Sequence, residues 1–138
     1  MTGAAHGPTL APEGRVVMVS GANRGMGRAI ARRLHDDGYS LSLGARDLEA
    51  LSAAHAELDR DRVAFHHYDA LDPATADAWI DGTVKRFGRI DGLVNNAGIL
   101  RQFGIEDEAD EALDEMWAVN VKAPLRLTRL AFPHHIML

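Results

Sequence analysis

From Arg15 onward, short runs rich in β-branched and apolar residues alternate with longer stretches whose apolar positions recur at helical steps. The first run, Val16-Val17-Met18-Val19, has no polar member, the pattern of a strand covered on both faces. It ends in Ser20-Gly21-Ala22-Asn23-Arg24-Gly25-Met26-Gly27, after which Ile30, Ala31 and Leu34 follow at helical spacing until Gly38. Tyr39 to Ala45 predicts a second strand, and Asp47 stands where it would cap a helix with apolar positions at Leu48, Leu51 and Leu58. Val63, Ala64 and Phe65 lead a third strand to Tyr68-Asp69. Asp72-Pro73 then sets a capping side chain before a proline at the first helical position, and that helix is expected to end near Phe87-Gly88. Ile90 to Val94 predicts a fourth strand that runs into Asn95-Asn96-Ala97-Gly98, and a long helix, acidic first and apolar later, takes up most of the remainder. Such alternation predicts an α/β fold, a parallel sheet covered by helices.

Composition narrows the class. A chain of 138 residues with 46% hydrophobic residues has the length and core of one domain. Its formal charge of -5 gives no basic footprint, so nucleic acid is not an expected partner and any phosphate must be met locally. With no cysteine there is no disulfide, thiolate zinc site or thiol nucleophile, which suits the cytoplasm. No apolar run approaches the roughly 18 residues that cross a membrane, so none is expected to do so. Residues 1–14 hold Gly3, Gly7, Pro8, Pro12 and Gly14 without a basic start, and read as a flexible arm rather than a secretory signal. Residues 15–138 are then the domain.

A glycine turn between a strand and a helix aims several backbone N–H groups and the positive end of the helix dipole at one spot, where phosphate is the natural guest. Glycines suit it because a Cβ would block the tight turn, the approach of a pyrophosphate, or the packing of helix on strand. Taken alone, the same glycines also suit a helix entry that only relieves crowding. The spacing here is Gly-x-x-x-Gly-x-Gly, with no Gly-Lys-Ser/Thr to suggest a nucleoside triphosphatase. With the later Asn-Asn-Ala-Gly, it resembles the short-chain dehydrogenase/reductase family over roughly residues 15 to 131, with Ser20 in place of the usual threonine. The resemblance implies a Rossmann-like, doubly wound sheet of strand order 3-2-1-4. It also implies a cofactor site that includes Gly21, Asn23, Arg24, Gly25, Met26 and Gly27. An epimerase-like extended relative would instead carry Gly-x-x-Gly-x-x-Gly.

About 20 residues past the last glycine, an acidic side chain would accept hydrogen bonds from the ribose of NAD. The chain has Gly44-Ala45-Arg46 there. A guanidinium suits a 2′-phosphate through paired charge-assisted bonds, and Arg24 adds charge nearby, so NADP(H) is favoured over NAD(H). Both arginines also suit a solvated surface, and Asp47 would turn toward the ribose if the strand ended one residue later. The resemblance puts Asp69 and Ala70 at the adenine, although Asp69 also suits the start of a loop. It puts Asn96, Ala97 and Gly98 beside the cofactor ribose, where an ordinary turn would use the same residues. Val119 belongs to the same implied site.

In the last helix Leu113, Met116, Trp117, Asn120, Pro124 and Leu127 follow three- and four-residue steps, which predicts Asn120 on an apolar face. Pro124 has no N–H, so the Asn120 carbonyl loses its usual partner and a local kink is expected. Asn120 then reads either as a satisfied core amide or, by the resemblance, as the asparagine of a catalytic tetrad whose freed carbonyl holds a water. The acidic stretch from Glu106 to Glu115 lacks the spacing and turning glycine of a calcium loop and reads as a solvated helix start. His66-His67 and His134-His135 are adjacent pairs, and neighbours in a strand point apart, so no metal is assigned.

Hydride transfer in the resembled family uses a serine and a Tyr-x-x-x-Lys pair downstream of the asparagine. The 138 residues hold no Tyr-x-x-x-Lys, and Tyr39 and Tyr68 fall in predicted strands. The expectation is the cofactor-binding part of a carbonyl/alcohol oxidoreductase, incomplete at its C-terminus and inactive alone. Its substrate would be a small carbonyl or alcohol, and a homo-oligomer is expected. The alternative is a non-enzymatic dinucleotide-binding or interaction module. A fourth strand left as an apolar edge predicts marginal stability, or an edge covered by another chain.

Overall fold

A computed structural model describes residues 11–134. Most of the arm expected over residues 1–14, and His135 of the second histidine pair, lie outside the described residues. Strands β1 (Val16–Ser20), β2 (Ser40–Ala45), β3 (Val63–His67) and β4 (Gly92–Val94) form one sheet in the order β3-β2-β1-β4. Every pairing is parallel. Val16 to Ser20 lie against Ser40 to Gly44 on one side of β1, and Val17 to Val19 lie against Gly92 to Val94 on the other. Helices α1 (Gly25–Asp36), α2 (Leu48–Ala54) and α3 (Pro73–Phe87) connect successive strands, and α4 (Asp110–Trp117) and α5 (Ala123–Ala131) follow the last. Among the described residues no helix is long and apolar enough to cross a membrane.

Alternation along the central strands builds two cores. Val17 and Val19 of β1, with Leu41 and Leu43 of β2, pack with Ala31 of α1 and Leu51 of α2. Met18, pointing the other way, packs with Trp79 and Ile80 of α3 and Leu127 and Ala131 of α5. Both faces of the sheet are therefore filled, which is why β1 tolerates no polar side chain before Ser20. The Trp79 face has one polar chain. The Trp79 indole N–H donates to Ser42 Oγ (2.9 Å), Ser42 and Thr83 hydroxyls meet at 2.6 Å, and Thr83 donates to the Trp79 carbonyl (2.8 Å). Since that carbonyl can only accept, the Ser42 hydroxyl must be the donor to Thr83, and all three donors are used.

Element boundaries differ from the predicted ones where pairing or capping decides. Tyr39 precedes β2, and Tyr68 follows β3, so neither tyrosine is a strand residue. Ile90 is fully buried before β4 begins. Leu58 lies beyond α2, packed on the first core from a turn. The long final helix is three pieces: α4, a π-helical turn over Ala118–Lys122, and α5. Pro124 supplies no N–H to the Asn120 carbonyl, and the chain absorbs the defect by widening its turn, with the Ala123 N–H reaching back to Ala118 O. The inward face also differs from the predicted one. The sequence holds two apolar series at four-residue steps, and only one can meet the sheet. Val119, Ala123, Leu127 and Ala131 are buried, whereas Leu113, Trp117, Val121 and Leu125 are exposed.

Candidate functional site

β1 delivers Ser20 to the carboxyl edge of the sheet, and its buried hydroxyl joins two distant motifs. Ser20 Oγ accepts the backbone N–H groups of Asn96 (3.0 Å) and Ala97 (2.9 Å), just beyond the end of β4. In return the Asn96 side-chain amide donates to the Gly21 carbonyl (3.2 Å). Gly21 has φ +64, and a Cβ there would lie 3.1 Å from the Asn96 side chain and 3.2 Å from Ala97 Cα. Gly27 is tighter still: a Cβ would lie 2.3 Å from the Gly21 carbonyl oxygen and 2.5 Å from Asn96 Nδ2. The first glycine makes the turn, and the third lets α1 descend onto it.

Above this junction lies an open cleft of about 850 Å³ at the carboxyl ends of the strands. Of the residues selected from sequence, it gathers Gly21, Asn23, Arg24, Gly25, Arg46, Asp69, Ala70, Asn96, Ala97, Gly98 and Val119. Met26, Gly27 and Asn120 are not among its lining residues. Met26 points to solvent at 73% exposure, and Gly27 is packed beneath the turn. Asn120 departs most from expectation. It is an exposed residue rather than a core amide, and its side chain clamps a loop: Oδ1 accepts the Ile99 N–H and Nδ2 donates to the Ile99 carbonyl, both at 2.8 Å. The clamp fixes the chain just past Gly98, and Asn95 ties the preceding end to Thr128 of α5 (3.2 Å).

The charge arrangement suits an anion. α1 begins after Arg24 with no side-chain cap and no acidic residue in its first turn, so its leading N–H groups keep their unpaired polarity. By contrast α2 and α3 are capped by Asp47 (2.9 Å to the Ala50 N–H) and Asp72 (3.1 Å to the Ala74 N–H). Asp47 lines the cleft as well, with Oδ1 engaged in capping its own helix. Arg46 is exposed at the end of β2, and its carbonyl accepts His67 Nδ1–H (2.8 Å). Neither Arg24 nor Arg46 forms an ion pair among the described residues. Asp69 starts a loop, with Oδ1 accepting the Leu71 N–H (2.9 Å).

Sequence reasoning missed several wall residues. Leu48, Tyr68, Leu71, Ile99 and Glu115 line the same cleft. Leu48 and Leu71 are half-open apolar lips, and Glu115 is held by Arg101 (2.9 Å). Tyr68 is buried against Trp79, with ring centres 5.0 Å apart. Burial pushes its hydroxyl above its ordinary value, with Arg126 opposing and the Asp69 charge adding, so it is neutral and serves as wall rather than base. None stood in a motif: Tyr68, Leu71 and Ile99 lie in loops after strands, where no periodicity marks them, and Leu48 and Glu115 lie on helices α2 and α4.

A family model described as short chain dehydrogenase matches residues 15–138. The chain is 44% identical over 120 residues to agropine synthesis reductase of Rhizobium rhizogenes, covering 86% of this chain and 28% of that protein. The fold is similar to that of a short-chain dehydrogenase/reductase from Brucella melitensis, with a TM-score of 0.86, 32% identity, and coverage of 91% of this chain and 53% of that one. It is also similar to a metagenomic short-chain oxidoreductase in complex with NADP, with a TM-score of 0.80, 35% identity, and coverage of 91% and 58%. The chain spans only 28% to 58% of the length of these proteins.

Proposed function

The chain belongs to the short-chain dehydrogenase family, and from that membership we propose that residues 15–138 form the NADP(H)-binding part of an oxidoreductase acting on a small carbonyl or alcohol. The observation that carries the choice of cofactor is the end of β2. An exposed Arg46, with no ion pair among the described residues, lines the cleft at the end of β2, and the neighbouring Asp47, which also lines it, spends Oδ1 on capping α2. The solved relative in complex with NADP supports the same reading.

Bound in this cleft, a nicotinamide dinucleotide would supply the hydride. The chain's own residues bind and orient it. The turn Gly21–Gly27 and the uncapped start of α1 meet pyrophosphate with backbone N–H groups, while Arg24 and Arg46 meet the 2′-phosphate. Asn96 to Gly98, held by Ser20, present small residues to a ribose. Asn120 fixes the loop after them, and its carbonyl, opposite Pro124, is the group proposed to hold a water. Hydride transfer also needs a proton donor of the Tyr-x-x-x-Lys type, which residues 1–138 do not include, so these residues alone are proposed to bind and not to turn over.

Titration of NADPH and NADH against the protein and an Arg46→Ala variant tests the reading. NADPH is expected to bind more tightly, and the substitution to weaken it about tenfold or more while changing NADH less than about threefold. Equal affinities, unmoved by the substitution, would overturn the preference for NADP(H).

A further inference from the structure

His55 follows α2 and is 1% exposed, yet it is a polar ring with no place in the binding site described above. Its Nε2 lies 2.7 Å from the carbonyl of Ala22, inside the glycine-rich turn and 33 residues earlier in the chain. A carbonyl only accepts, so Nε2 carries the proton. Nδ1 is buried and meets no hydrogen-bonding partner among the described residues. Phe65 of β3 stacks on the ring at 6.3 Å. Ala22 is itself fully buried, so no solvent can replace the imidazole as partner of its carbonyl.

We propose that His55 positions the dinucleotide-binding turn, acting as a strut between the end of α2 and the Ala22 carbonyl. The proposal rests on the reading of that turn as the phosphate site. Ala22 follows Gly21 directly, at the bend where the backbone leaves β1, so the orientation of its peptide sets how the next N–H groups face the cleft. Ser20 and Asn96 hold the turn from the β4 side, and His55 holds it from the α2 side.

The ring is held neutral; protonation would keep the Nε2–H bond to Ala22 but bury a charge on the unpartnered Nδ1. Burial keeps His55 below its ordinary 6.5, the bond to Ala22 opposes that, and the charges of Arg32, Arg28 and His35 on α1 add to it. Arg32 is itself engaged with the Glu57 carboxylate and the Ala54 carbonyl. A second proton on Nδ1 would place an unpaired charge beside these cations. The turn should therefore loosen as pH falls below about 6.5 and remain intact above it.

The test uses the full chain with His55→Leu and His55→Gln, whose side-chain amide can reach where Nε2 does. NADP+ affinity is read by calorimetry at pH 7.5 and 5.5, and amide exchange is read at residues 22–26 against the strand amides of β1. His55→Leu should weaken NADP+ about tenfold at pH 7.5 and speed exchange in the turn by a similar factor, while His55→Gln stays within about threefold. The loss of affinity on acidification should be larger for the native protein than for His55→Gln. Native affinity and unchanged exchange in His55→Leu would overturn the proposal, as would a His55→Gln variant that fails as badly as His55→Leu or keeps the native pH slope. If the native protein binds no NADP+, the dinucleotide reading fails while the exchange arm still decides the strut. Faster turn exchange in the leucine variant alone supports it, and equal rates refute it.

Discussion

One methyl group is enough to test how closely the two binding motifs are joined. Gly27→Ala would set a Cβ 2.3 Å from the Gly21 carbonyl oxygen and 2.5 Å from Asn96 Nδ2, and those two atoms' residues are hydrogen-bonded to each other. Neither can retreat without breaking that bond, so the variant should lose about 1–3 kcal/mol of stability, read as a lower urea midpoint at unchanged slope. An unchanged midpoint would mean that the junction is looser than its geometry. At this scale the sequence was legible where a residue type has a backbone reason to be there. Gly21 has φ +64 and makes the turn, and Ser20, at the end of β1 in place of the resembled family's usual threonine, supplies a bridging hydroxyl. It was not legible where a side chain finds a partner far away. Asn120 read either as a core amide or, by the resemblance, as a tetrad asparagine, and neither reading pointed to the pairing of its side-chain amide with Ile99, 21 residues before it. His55 carried no signal at all, since a lone histidine after a helix has no period to betray its partner.

At the scale of elements, the start of the sheet hangs on one carboxylate. Asp91, just before β4, accepts the Val16 N–H at the start of β1 (2.8 Å) and is gripped by Arg89 (2.6 and 2.8 Å), with Arg15 at 3.8 Å. Burial pushes its carboxyl up, but the Arg89 bonds, the Val16 N–H and the charges of Arg89 and Arg15 together hold it below the ordinary 3.8. A carboxyl whose folded value is depressed stabilises fully above its unfolded value, and that contribution is lost as pH falls through the folded one. Asp91→Asn should therefore be less stable than the native protein at pH 7, with the gap narrowing below about pH 3.8 in urea unfolding. A gap that stays constant with pH would rule this out. The strands and first three helices were readable because their periods, caps and terminating glycines agree, as at Asp47, Asp72 and Gly88. The final helix was not, because Pro124 announces a defect without saying how the chain absorbs it; a kink and a π turn satisfy the same missing N–H.

At the largest scale, exposed apolar side chains among the described residues gather after β4. β4 is a three-residue edge strand, and the helices after it expose Leu113, Trp117, Val121 and Leu125, with Trp117 at 60%. We propose that a homo-oligomer covers this row, in which case Trp117→Glu should shift the native protein toward monomer in sedimentation. A native protein that already sediments as a stable monomer would refute it. The alternation of strands and helices made the parallel sheet legible, whereas the strand order came from the resemblance to the short-chain dehydrogenase/reductase family. The Ser20 bridge adds a matter of timing. Its hydroxyl waits for amides 76 and 77 positions later, so a chain emerging from synthesis holds its complete glycine loop long before that loop is braced. The nucleotide is then a ligand of the finished sheet rather than of the nascent hairpin of strand and helix. Refolding with and without NADPH should register this as an unchanged folding rate and a slower unfolding rate, and faster folding with NADPH would show that the loop captures it before the brace is made.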